Sequence, residues 1–171
     1  MNYLLNYEEI CKDSLIEIRD KICKADKLKM SDLKIDNLIF KQGGDGIYLF
    51  FNNDHKCIYV GRCYSRSFVD RIPAHFDARD EIGRWGFRGV CKQIRKERGV
   101  TWYGAATELL SWYLYLINFK NNKNKEHYCK KLEILLINIF KEHGLYNRNY
   151  SKRSQDINDK DTLKNNLDRI R

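Results

Sequence analysis

The chain has 171 residues, of which 43% are hydrophobic, enough for one sizeable core and short for two independent domains. Thirty-two Lys and Arg against 23 Asp and Glu leave a formal net charge of +9, which favours a polyanionic partner, with nucleic acid foremost, although a basic surface also serves solubility. The six cysteines show no CxxC pair and no zinc-like spacing, and no apolar run reaches the length of a signal peptide or a membrane span. Structural zinc, a disulfide framework and a membrane anchor are therefore not expected, and a reducing, cytoplasmic setting is.

In chain order, apolar residues at Tyr7, Ile10, Cys11, Leu15, Ile18 and Ile22 have helical spacing and predict a packing helix over residues 7–25. Gly43-Gly44-Asp45-Gly46 supplies a turn before the β-forming run Ile47-Tyr48-Leu49-Phe50-Phe51. A polar loop at residues 52–56 and a second run, Cys57-Ile58-Tyr59-Val60, closed by Gly61, complete an antiparallel pair. A helix-like segment starts near Ser67 and carries Arg71 and His75, with Pro73 between them disfavouring a straight helix.

Residues 80–111 read as an insertion, with Arg84-Trp85-Gly86-Phe87-Arg88-Gly89 leading into a basic helix through Arg98. The aromatic run at residues 112–119 predicts a third strand, and a polar loop follows at residues 120–125. Tyr128, Cys129, Leu132, Leu135, Leu136, Ile139 and Phe140 then mark a periodic helix that Gly144 is placed to end. Beyond Tyr150 the chain is charged and nearly free of aromatics, which predicts a mobile tail or at most a surface helix. The expectation is an α+β fold, a small mostly antiparallel three-stranded sheet flanked by helices. Its parts are an N-terminal helical extension (1–45), a central domain (46–150) with a helical insertion at about 80–111, and a charged tail (151–171).

One ordered set of residues carries chemistry: Gly46-Ile47-Tyr48 on the first strand, Tyr59-Val60-Gly61 on the second, Arg71 and His75 on the next segment, Glu133 in an apolar helix, and Leu145-Tyr146-Asn147 after it. This set resembles the GIY-YIG nucleases over residues 46–149, and the compact length is most like a stand-alone type II restriction endonuclease. The resemblance implies Mg²⁺-dependent hydrolysis of phosphodiesters in double-stranded DNA, with Mn²⁺ as a substitute metal. A homodimer would follow if the site is palindromic. A repair or homing-type nuclease, and a DNA- or RNA-binding module that keeps the fold without cutting, are the alternatives.

The residue types suit that chemistry. Glu133 is the one charge among residues 132–140, and a carboxylate in apolar surroundings is costly unless a cation compensates it, which makes it the candidate metal ligand. Glu108 is the rival. Arg71 keeps its charge and can hold a phosphate oxygen through two parallel hydrogen bonds. Tyr48 needs a nearby cation to serve as general base, since a free phenol ionises near ~10. Tyr59 would orient water or phosphate, and His75 would share base work or bind phosphate. Arg62 is a second phosphate contact, and Asn147, with Asn149 as the near alternative, would support Glu133 or the backbone around it. Arg84, Arg88, Lys92 and Arg95 make the insertion the candidate DNA-contacting element.

Overall fold

The computed structural model describes residues 3–39, 44–77, 89–119, 125–147 and 157–169. Five strands form one mixed sheet: β1 (Leu4–Asn6), β2 (Leu28–Lys29), β3 (Gly46–Phe51), β4 (Cys57–Cys63) and β5 (Tyr113–Asn118). The helices are α1 (Tyr7–Ile10), α2 (Leu15–Lys24), α3 (Phe68–Arg71), α4 (Val90–Arg98), α5 (Trp102–Ser111), α6 (Lys125–Ile139) and α7 (Leu163–Arg169). The α+β class and the antiparallel β4-β3-β5 centre follow the pattern in the sequence.

The three-stranded expectation is too small. β1 pairs in parallel with the far half of β5, Leu4 opposite Leu116, and β2 pairs antiparallel with its near end, Leu28 opposite Leu114. Strands of three and two residues carry too few side chains to show alternation, so nothing local announces them. The N-terminal region is therefore part of the sheet as well as helical. Its expected single helix is divided, because Ser14 caps α2 in a reciprocal box with Glu17, the Ser14 N–H donating to the carboxylate at 2.7 Å.

Alternation along β3 sends Ile47, Leu49 and Phe51 to one face and Tyr48 and Phe50 to the other, and all are buried. The first face packs against α2, α6 and α7, the second against Phe68, Ile72 and the helices α4 and α5. Helices on both faces explain why β3 reads as a continuous apolar run. The segment of residues 89–111 thus covers the sheet through Val90, Cys91, Ile94, Ala105 and Leu109.

The C-terminal segment also departs from expectation. Leu163 and Leu167 of α7 are fully buried against the first core. Its backbone is tied to the N-terminal helices, Leu163 N–H donating to Asp13 O at 2.7 Å and Lys164 N–H to Cys11 O at 3.1 Å. The buried Lys131 ammonium donates to Leu167 O at 2.5 Å. Two leucines four residues apart in a charged segment give a weak sequence signal, yet with these backbone bonds they dock it. All six cysteines are free, and no helix among the described residues is long and apolar enough to cross a membrane.

Candidate active site

The two glycines of the paired tripeptides are dictated by sterics. Tyr48 lies opposite Gly61 across the β3–β4 pair, and a Cβ at position 61 would fall 2.1 Å from the Tyr48 Cζ. The Tyr48 ring fills that space. At Gly46, where φ is +155°, a Cβ would meet the Ile117 carbonyl oxygen at 1.9 Å. Glycine at these two positions lets the strands close around the tyrosine.

Tyr48 is fully buried, and its hydroxyl lies 2.9 Å from His75 Nε2. The other ring nitrogen, Nδ1, accepts from the Val90 N–H at 3.2 Å. An imidazole that accepts at Nδ1 carries its proton at Nε2 when neutral, so His75 donates to the Tyr48 oxygen. Burial, with Arg71 adding to it, pushes His75 down to about 3 and keeps it neutral. Burial raises Tyr48 well above its ordinary value, Tyr59 adds to the rise and Arg71 opposes it. The Tyr59 ring sits 4.8 Å from the His75 ring and 6.0 Å from that of Tyr48. Pro73 ends α3 and starts a tight turn over Pro73–Phe76, so Arg71 and His75 do not share a regular helix. That turn swings His75 inward under Tyr48. Fully enclosed, His75 is a hydrogen-bond donor to the tyrosine, and of its two expected roles, shared base work or phosphate binding, burial leaves no surface for the second.

Glu133 lies on the other face of the sheet. It is 6% exposed, on the side of α6 that packs against β4, and it forms an ion pair with Arg62. Arg62 faces Glu133 because it alternates with Tyr59 and Gly61 along β4. Burial raises Glu133 to about 7, and Arg62 and then Arg71 oppose the rise. β4 is the terminal strand of the sheet, so the two faces meet around its outer edge. Arg71, at the end of α3, acts through its charge on Tyr48, His75 and Glu133 alike. The site therefore straddles an edge strand, with a tyrosine–histidine half and a carboxylate half joined electrostatically by Arg71.

Asn147 does not support Glu133. Its carboxamide oxygen accepts from Val60 N–H at 2.9 Å and its nitrogen donates to Val60 O at 2.7 Å. With Tyr146 N–H donating to Ile58 O at 2.8 Å, this segment replaces a missing neighbour strand and fixes the backbone on both sides of Tyr59. The rival Glu108 is paired with Arg98 at 2.9 Å, between α4 and α5. Lys92 and Arg95 are half-buried on α4. Arg84, Arg88, Trp85 and Asn149 lie outside the described residues.

Tyr64 was not singled out by the sequence. Its ring lies 5.8 Å from the Arg62 guanidinium and 5.2 Å from the Lys130 ammonium. The one available signal was its place two residues beyond Arg62 on the same side of the chain. Among the described residues no group of three or more His, Cys, Asp or Glu side chains could hold a metal by itself. Glu133 alone still fits Mg²⁺, which commonly takes one or two carboxylates and completes its shell with water and substrate phosphate. Burial raises Glu133, so its ionised form needs a cation beside it, and Arg62 supplies one here. No protein-family model, curated protein or solved structure matches this chain.

Proposed function

We propose that the protein is a Mg²⁺-dependent endonuclease that hydrolyses phosphodiester bonds of double-stranded DNA, most like a sequence-specific restriction enzyme of the GIY-YIG type. The observation that carries the reading is the buried Glu133 carboxylate, in an ion pair with Arg62 and within the field of Arg71. It sits across one strand from a tyrosine that receives a neutral histidine's hydrogen bond. The basic balance of the chain supports a polyanionic substrate.

In this reading Arg71 holds a nonbridging phosphate oxygen and stabilises the charge that develops there, which one residue within reach of both halves is suited to do. Tyr48, acting as its phenolate, takes the proton of the attacking water and becomes the phenol as the water oxygen bonds to phosphorus and the bond to the leaving oxygen breaks, the leaving oxygen taking a proton from solvent. The His75 Nε2–H favours the phenolate that must be present before this step, because a donor to the charged form stabilises it, and it acts against the burial that raises Tyr48. Glu133 would hold the metal, which when bound supplies Lewis-acid stabilisation of the phosphoryl group. Two copies of the chain would serve the two strands of a palindromic site.

A DNA-binding module that does not cut is the second reading, favoured by one observation: the Tyr48 hydroxyl has no exposure. Incubation of the protein with supercoiled plasmid and mixed genomic DNA, with Mg²⁺ or a chelator, separates the two. Discrete fragments that need the metal and disappear in Glu133→Gln and Arg71→Lys proteins support the nuclease. Intact DNA in every condition, with salt-sensitive binding, supports the module.

A further inference from the structure

Resting on the nuclease reading, we infer that Arg62 is a resident counter-cation that holds the Glu133 site closed until a divalent metal displaces it, and that the displaced guanidinium moves onto the Tyr64 ring to form, with Lys130, a seat for a backbone phosphate next to the scissile one. The Glu133 side chain is 8% exposed and its only described cationic contact is Arg62, so the arginine occupies one side of the carboxylate from which a metal must approach. A buried carboxylate stripped of all cations is strongly disfavoured, so the two cations exchange and neither simply leaves.

Arg62 has somewhere to go. Its side chain is 27% exposed, and its guanidinium already lies within 5.8 Å of the Tyr64 ring centroid, inside the range of a cation–π contact. Lys130, one helical turn before Glu133 on α6, lies over that same ring at 5.2 Å. Lys130 is already paired with Glu126 at 2.7 Å, so the guanidinium arriving on the ring adds one cation that Glu126 does not neutralise, and a phosphate oxygen provides the second anion. Metal binding and DNA binding are then coupled through one side chain, and the coupling must be reciprocal.

The test is ¹⁵N NMR of arginine side chains in the full-length protein, with the Arg62 signal assigned by its loss in Arg62→Lys, while Mg²⁺ is titrated and its binding heat is measured separately. The expected result is a slowly exchanging Arg62 guanidinium in metal-free protein that becomes solvent-like with the same midpoint as the heat. In Glu133→Gln it should be solvent-like from the start, with the heat lost. A short DNA duplex added to Tyr48→Phe protein should lower the Mg²⁺ midpoint several-fold, and Tyr64→Leu should remove that shift while leaving the Mg²⁺ heat in place. An Arg62 signal that stays slow through Mg²⁺ saturation, or a midpoint indifferent to the duplex, overturns the exchange and leaves the nuclease reading standing. Absence of any Glu133-dependent heat overturns both.

Discussion

Replacing Glu133 with Gln keeps the shape of the side chain and removes its ability to ionise, which gives a quantitative test of the buried carboxylate. The ordinary value of 4.5 is raised to about 7 in the fold, with burial the main cause and the two arginines opposing it. That displacement corresponds to roughly 3 kcal/mol of differential stability between the protonated and ionised forms. The folded protein holds this proton more tightly than the unfolded chain, so stability from this group is present below about 4.5 and is lost as pH rises through about 7. At pH 8 the Gln protein is expected to be more stable than the parent by about 1–3 kcal/mol, the lower end reflecting an Arg62 left without its anion. For a chain of this size that is a rise of roughly 2–10 °C in Tm. Near pH 5 the two proteins should converge. Millimolar Mg²⁺ at pH 8 should stabilise the parent and leave the variant unchanged. Thermal and urea unfolding across pH 5–8 measure all three. Parallel pH profiles for the two proteins, or a variant less stable at pH 8, would refute the argument.

Gly61→Ala should cost about 3 kcal/mol or more in urea unfolding, because its Cβ would fall 2.1 Å from a Tyr48 ring atom that the core holds in place. Asn147→Ala leaves Val60 N–H and C=O without their partner; a loss of about 1–3 kcal/mol and faster amide exchange at Val60 are expected, and unchanged exchange would show that water replaces the carboxamide. A chain ending at residue 156 loses the fully buried Leu163 and Leu167, so it should unfold at markedly lower urea or fail to accumulate; parental stability would mean α7 is only a surface helix. Tyr48→Phe keeps the packing and removes the hydroxyl that faces His75. Stability should change by about 1 kcal/mol while any DNA cleavage falls at least a hundredfold, and undiminished cleavage would exclude Tyr48 as the base.

The antiparallel β3–β4 pair, the third strand β5, the helix that carries Glu133 and the order of the chemical residues could all be read from the chain itself. Each is a local signal: β-forming runs between turn residues, a periodic apolar helix, one carboxylate in an apolar run. Even the requirement for glycine at 46 and 61 was visible as a pattern, although the reason for it, a tyrosine ring and a carbonyl in the space of a Cβ, was not. What pairs across long stretches of chain was decided elsewhere. β1 and β2 exist because β5 offers them an open edge, and α7 exists as a docked element because α6 and the N-terminal helices leave a place for Leu163 and Leu167. The same holds for the site. The direction of the His75–Tyr48 hydrogen bond depends on the Val90 N–H, 15 residues away, and the partners of Asn147 and Glu133 lie on β4, 87 and 71 residues away. Sequence spacing sets which groups share a helix or a strand face; only the closed core brings distant groups within hydrogen-bond reach, and burial there gives them their charge states.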